Sequence, residues 1–297
     1  MAAPRFGHVV TAMVTPFDES LRIDEAQVER LVEHLIATGS DGLVVCGTTG
    51  ESATLSHDEK LKMFTLVKKF AAGRARLIAG VGSNNTADTV AMAKQVAEIG
   101  MDGLLLVAPY YNKPSQDGLF AHFTTIARAT DVPALLYNVP GRTVVGISAA
   151  TAVRCARECP TIVGVKEASS DLALAGEIAR TAPPGFEIYS GDDNVNLPIL
   201  SVGGVGAISV TSHVAGKAIR RLHEAFFAGD NAAAREAHLP TLPLTRALFC
   251  TSNPVPVKYA LKRLGVLASD AVRLPLVTAS DGEKLQIDAA LAEFSAL

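Results

Sequence analysis

The sequence predicts an α/β fold, a (β/α)8 TIM barrel with a C-terminal helical appendage. Three observations predict it. From residue 8 to about 228, eight short apolar runs recur, each followed by a turn and a segment of helical period. The runs are apolar at nearly every position instead of alternating, which marks strands buried on both faces of a parallel sheet. After about residue 230 the strand-like runs stop and only helical pattern remains.

The runs are HVVTAMV (8–14), GLVVC (42–46), RLIAGV (76–81), GLLLVA (103–108), ALLYN (134–138), TIVGV (161–165), FEIYS (186–190) and GAISV (206–210). The segments between them carry helix signals. Val28, Leu31, Val32, Leu35 and Ile36 form one apolar stripe within residues 24–37. Ser56 with Glu59 is a capping box. Gly39, Gly73 and Gly100 stand where helices should stop. Parallel neighbours need a crossover, and eight strands close a sheet on themselves. The alternative is an open doubly wound sheet. No GxGxxG follows the first run, which counts against a dinucleotide fold. The expected organisation is a catalytic barrel over residues 1–230 and a helical domain over 231–297, with Pro240, Pro243, Pro254 and Pro256 setting helix boundaries.

The composition excludes several classes. The chain has 297 residues, 48% hydrophobic, with 27 basic and 30 acidic side chains well mixed and a net charge of −3. No basic stripe points to nucleic acid, no acidic tail to disorder, and no apolar run reaches the roughly 20 residues that span a membrane. The start lacks the pattern of a signal peptide. Cys46, Cys155, Cys159 and Cys250 have no CxxC spacing, and reduced thiols in a cytoplasmic protein are expected.

The chemistry is sought in the loop after each strand, because barrel active sites lie at the C-terminal strand ends. The sixth run leads straight into Lys166. Lysine is rarely buried unless paired. An amine with an ordinary pKa of about 10.4 is protonated and inert toward carbonyls. Apolar walls disfavour the charged form and free such a nitrogen as a nucleophile. From this stretch alone, a lysine snorkelling into solvent is an equal reading. In GTTGES (47–52), the turn amides with the Thr48 and Thr49 hydroxyls suit a carboxylate, though an isolated GTTG reads as an ordinary turn. Tyr137 could pass protons to a carbinolamine, or be an aromatic core residue. Arg142, after a Pro-Gly turn, could grip a carboxylate through both arms, or lie solvated on the surface. Tyr110 and Tyr111 are adjacent and point in different directions, so one at most faces the site. Asp192 and Asp193 read as the cap of a helix near 194–202 before they read as a metal pair. His8, His34, His57, His122, His213, His223 and His238 show no zinc spacing, and neither a Walker A loop nor a GxSxG elbow is present. No metal or cofactor is expected. A barrel lysine then points to imine chemistry.

Taken in order, GTTGES, PYYNKP, YNVPGRT, GVKEAS and SGDD resemble the pyruvate-dependent class I aldolases of the N-acetylneuraminate lyase superfamily, and within it the dihydrodipicolinate synthase family. The likeness runs through nearly the whole chain, including TAMVTPF (11–17) and NPVPVKYAL (253–261). It implies a lyase of diaminopimelate and lysine biosynthesis that condenses pyruvate with L-aspartate 4-semialdehyde. It implies that Lys166 forms the Schiff base and that Tyr137 relays protons. Thr49 would link Tyr137 to Tyr111, the latter supplied by a neighbouring subunit of a homotetramer, a dimer of dimers. Thr48 and Thr49 would hold the pyruvate carboxylate and Arg142 that of the semialdehyde, with Gly191 and Ile208 lining the pocket. Ser52, Ala53, His57, Asn84, Asp88 and Tyr110 match a lysine effector site in such enzymes. Lysine-sensitive members often carry His where this chain has Lys60, and Glu where it has Asp88, so weak or absent lysine inhibition is expected. PGRT favours the synthase over its sugar-acid relatives, which share GVK and a YN-P motif. Those aldolases, of N-acetylneuraminate or 2-keto-3-deoxy sugar acid type, are the alternative, and a barrel without catalysis is a third reading. The last is disfavoured because every site position holds the residue type that the chemistry needs.

Overall fold

The computed structural model describes residues 3–296. Eight strands follow one another in chain order around a closed barrel. They are β1 (Val9–Ala12), β2 (Gly42–Val45), β3 (Arg76–Gly80), β4 (Gly103–Val107), β5 (Ala134–Asn138), β6 (Ile162–Glu167), β7 (Glu187–Ser190) and β8 (Gly206–Ser209). The first eight helices are α1 (Glu25–Ala37), α2 (His57–Ala71), α3 (Thr86–Ile99), α4 (Gln116–Ala127), the one-turn α5 (Pro140–Thr143), α6 (Ala149–Glu158), α7 (Leu172–Thr181) and α8 (Asn196–Ser201). After the last strand comes α9 (Ser212–Phe227), and then α10 (Asn231–His238), α11 (Thr241–Leu248), α12 (Val255–Arg263) and α13 (Asp281–Ser295) form the helical extension. None of these described helices is long and apolar enough to cross a membrane.

Local chemistry sets the helix ends. Asp24, Asn85, Ser115, Ser148 and Asp171 cap α1, α3, α4, α6 and α7 through their side-chain oxygens, and Ser56 with Glu59 forms the capping box of α2. Gly100 closes α3 in the left-handed conformation, whereas Gly39 and Gly73 fall one residue beyond the caps Thr38 and Ala72. Pro240 and Pro254 precede α11 and α12 as expected. Pro243 and Pro256 instead lie inside the first turns of those helices, where backbone N–H groups have no helical acceptor to lose.

The strands depart from the apolar runs in one place that matters. The sequence reading ends the sixth strand at Val165, but β6 continues through Lys166 and Glu167. Both residues are paired on each side: Lys166 with Tyr137 and Tyr189, Glu167 with Asn138 and Ser190. Hydropathy could not include them, since the ladder is a backbone property. A register shift also lies between β5 and β6. Ala134 is opposite Ile162, but Leu135 is opposite Gly164, so Val163 is the extra residue. Without that step Tyr137 would stand beside Val165. With it, Lys166 shares the rung of Tyr137. Gly164 permits close approach on both sides, because a Cβ there would sit 2.3 Å from the Glu187 carbonyl oxygen of β7 and 2.8 Å from Leu135 Cδ2 of β5.

The chain divides into two compact units. One is Leu77–Ile208, joined by the chain's start as far as Arg5; the other is Phe6–Arg76 with Ser209–Leu297. In the first, the Arg5 amide donates to Glu187 Oε1 at 2.6 Å and the Leu77 amide to Asp102 Oδ2 at 2.8 Å. In the second, Asp41 accepts from the amides of His8 and Val9 and from Arg220. The Thr11 hydroxyl bonds to those of Ser40 and Ser212. α10 to α13 belong to this second unit.

Candidate active site

In the first unit, β5, β6, β7 and β8 carry, within them or just after, the expected residues Tyr137, Lys166, Gly191 and Ile208. Lys166 is buried, 5% exposed, and its Nζ stands 4.5 Å from the centre of the Tyr137 ring. The snorkelling reading is thereby excluded: the lysine lies within the strand and its amine faces an aromatic side chain. Tyr137 is likewise buried. Gly191, after β7, donates its amide to the Glu167 carbonyl at 2.7 Å. A Cβ on Gly191 would lie 2.6 Å from the Ala168 Cβ and 3.0 Å from both Cγ and Cε of Lys166. The lysine stem therefore occupies the space that any other residue at 191 would need. Ile208 is buried in β8.

Arg142 is exposed on α5, the single turn that Pro140 opens and Val144 ends at φ +64°. Tyr111 is 87% exposed and Tyr110 39%. Tyr111 holds φ +75°, and the Asn112 amide turns back to the Tyr110 carbonyl at 2.9 Å. Asn84 Nδ2 donates to the Tyr110 carbonyl at 3.2 Å, so two of the expected effector residues meet. Asp88 lies in the first turn of α3. Asp192 does act as a cap, accepting from the Asn194 amide at 3.0 Å at the start of a 3-10 turn (Asp193–Val195) that leads into α8.

Sequence reasoning passed over Asn138 and Glu167, the next rung after Tyr137 and Lys166. Asn138 Nδ2 donates to Glu167 Oε2 at 2.8 Å, and the Ser169 amide donates to Oε1 at 2.7 Å. Burial pushes the Glu167 carboxyl above its usual range, against the opposing pull of the bonds from Ser169 and Asn138. A signal existed: each is a polar residue that ends a buried strand of largely apolar sequence.

The second unit carries Thr48, Thr49, Ser52, Ala53 and His57. Thr49 is buried, and its Oγ1 accepts from Asn253 Nδ2 at 2.9 Å. Glu51 accepts from Lys258 Nζ at 2.5 Å and from the Arg273 amide at 2.9 Å. Lys258 also donates to the Ala271 carbonyl at 2.7 Å. The side chains of Glu51 and Lys258 are each 1% exposed. Burial holds the Lys258 ammonium down at about 8, desolvation outweighing the attraction of Glu51. The loop they hold is a costly one, since Cys46 and Glu51 flank it at φ +55° and +54°. His57 is the exposed first residue of α2. Asn253 and Lys258 were invisible as loop supports, because 204 and 207 residues separate them from Thr49 and Glu51.

A (β/α)8 barrel with a buried lysine at the carboxyl end of a strand, its amine against a tyrosine, is an arrangement suited to a lyase of the class I aldolase type, and the relatives below support that class, which works through a Schiff base. The model of the dihydrodipicolinate synthetase family matches residues 5–294. The chain is 53% identical over 284 residues to the 4-hydroxy-tetrahydrodipicolinate synthase of Listeria welshimeri, covering 94% of this chain and 96% of that one. It is 51% identical over 289 residues to the enzyme of that name from Moorella thermoacetica, covering 97% and 98%. Among solved structures it is similar to dihydrodipicolinate synthase from Cyanidioschyzon merolae with lysine bound, at 43% identity and a TM-score of 0.96, covering 99% of this chain and all of that one. The chain belongs to the dihydrodipicolinate synthetase family.

Proposed function

We propose that this chain condenses pyruvate with L-aspartate 4-semialdehyde through an imine on Lys166, forming the 4-hydroxy-tetrahydrodipicolinate after which its relatives are named. The observation that carries the assignment is the buried Lys166 amine over the Tyr137 ring, on one shared rung of β5 and β6.

The steps follow from the chemistry of an amine and a keto acid. The Lys166 nitrogen adds to the keto carbon of pyruvate. Water leaves and an iminium forms, with Tyr137 carrying protons to and from the carbinolamine oxygen. Loss of a methyl proton gives the enamine, the iminium nitrogen taking the electron pair. The enamine carbon attacks the aldehyde carbon of the semialdehyde, and the new carbon–carbon bond restores the iminium. The amine of the condensed product then displaces Lys166, closing the ring and freeing the enzyme.

Thr48 and Thr49 hold the pyruvate carboxylate through hydroxyl and turn amides, and Arg142 grips the carboxylate of the semialdehyde. Gly191 and Ile208 line the pocket. In our reading Tyr111 works in a neighbouring subunit, where Thr49 connects it to Tyr137. Its exposure in one chain fits that role, and a homotetramer built as a dimer of dimers is the assembly we propose. The four cysteines, all free, fit a reducing compartment such as the cytoplasm.

Borohydride reduction in the presence of pyruvate, followed by mass spectrometry, tests the imine. A stable adduct on Lys166 is expected, and Lys166→Ala should keep the fold and lose nearly all turnover. An alanine variant with wild-type rate would refute the assignment. A coupled assay with L-aspartate 4-semialdehyde separates this reaction from a sugar-acid aldolase using the same imine.

A further inference from the structure

The rung beyond Tyr137 and Lys166 holds a hydrogen-bonded chain whose direction has only one solution. The Ile147 amide donates to Asn138 Oδ1 at 2.9 Å. A backbone N–H can only donate, so this bond fixes which end of the Asn138 amide faces residue 147. The amide nitrogen is thereby turned toward Glu167 Oε2, 2.8 Å away. The Ser169 amide, again only a donor, takes Oε1 at 2.7 Å. Glu167 must therefore accept on both oxygens. It is buried, and among the described residues no ion pair reaches it. A buried carboxyl without a cation is costly, and what it supplies here is two acceptors that no apolar residue could provide.

These bonds close a loop at its base. Residues 139–146 leave β5 and return at Ile147, and the loop carries α5 with Arg142. Gln116 holds the far side, donating to the Gly146 carbonyl at 2.9 Å and accepting from the Ser148 amide at 3.1 Å. Asn138 fastens the near side. The Asn138 carbonyl also accepts from the Ala168 amide at 2.9 Å, so the clasp is tied to the backbone just beyond Lys166.

We propose that Asn138 and Glu167 are a positioning pair, which locks the Arg142 loop to the strand carrying Lys166 and so presets the grip on the second substrate's carboxylate. This rests on the proposed role of Arg142 in holding that carboxylate. Neither residue touches the reacting atoms in this scheme. They lie on the strand faces opposite Tyr137 and Lys166, by the alternation of side chains along a strand.

The fixed direction of these bonds yields a rescue test. Glu167→Gln sets an amide NH2 against either the Asn138 NH2 or the Ser169 N–H, donor against donor. Asn138→Asp sets a carboxylate against that of Glu167. Combined, they restore all three bonds, with only the one between residues 138 and 167 reversed: the carboxylate at 138 accepts from Ile147 and from the new amide at 167, whose oxygen accepts from Ser169. The net charge of the pair is unchanged. Each folded single variant should trap pyruvate under borohydride within about twofold of wild type, while its KM for the semialdehyde rises about tenfold or more. Hydrogen exchange in a peptide covering 140–148 should accelerate by a similar factor. The double variant should return both readings to within about threefold of wild type. A single variant too unstable to assay would leave the double to decide, by its melting curve and its KM.

The proposal is overturned if the double variant is as impaired as the worse single one, or if Glu167→Gln leaves KM and loop exchange unchanged. Arg142→Ala separates the two levels of the reading. If it leaves the semialdehyde KM unmoved, the role of Arg142 fails, while loop exchange still reports whether the clasp exists.

Discussion

Replacing Lys258 by Met tests whether the C-terminal extension holds the GTTGES loop. Met keeps the stem and removes the charge. The ammonium has two oxygen partners, Glu51 Oε1 at 2.5 Å and the Ala271 carbonyl at 2.7 Å. Once it is gone, among the described residues Glu51 keeps the Arg273 amide at 2.9 Å as its hydrogen-bond donor, inside a site where its side chain is 1% exposed. Desolvation already outweighs the pull of Glu51 on Lys258, whose pKa is held at about 8. The loss thus falls on the stranded carboxylate more than on the missing ammonium. Removing one partner of a buried pair costs about 3–5 kcal/mol. For a chain of this size that lowers the melting temperature by on the order of 10 °C.

The expected result in scanning calorimetry is a drop of that size, with a raised KM for pyruvate because Thr48 and Thr49 lie in the released loop. Lys258→Met combined with Glu51→Gln removes the stranded charge and should recover half of the loss or more. Two results would refute the reasoning: a single variant melting within about 2 °C of wild type with unchanged KM, or a double variant no more stable than the single.

Gly191→Ala should cut turnover by at least about a hundredfold and lower the melting temperature by several degrees, because its methyl would displace the Lys166 stem and Ala168; borohydride trapping would read the same loss of turnover. Glu59 is held down at about 2, chiefly by the hydrogen bonds from Arg273, against an ordinary carboxyl value of 4.5. The native state therefore binds fewer protons than the unfolded chain between those values, so stability is present above pH 4.5 and is lost as the pH falls toward 2. Glu59→Gln should flatten that slope in a urea-midpoint series, and an unchanged slope would disprove the linkage. Finally, the cationic Lys60 disfavours a cationic effector, so calorimetry with L-lysine should show no tight binding; a strong isotherm would reject this reading.

Much of the fold could be read locally. The eight largely apolar runs, the stripe on α1, and the caps Asp24, Ser56 and Ser148 depend on neighbours within a few residues, so the sequence carries them on its face. The candidate site was legible to the extent that its residues fall in loops of unusual composition at strand ends. Asn138 and Glu167 were readable as polar interruptions, but not as a clasp, because the third member, the Ile147 amide, is a backbone group that no side-chain pattern reveals.

The sequence by itself determined the number of strands, their parallel burial and the lysine at the end of the sixth. Only the tertiary structure decided that β6 extends through Lys166, that Val163 steps the register so the lysine shares a rung with Tyr137, and that Asn253 and Lys258 support a loop about 200 residues earlier. The physical reason is range. Periodicity and capping are set by the covalent neighbourhood. Register, and the pairing of buried charges, depend on which distant segments the closed sheet brings within hydrogen-bonding distance.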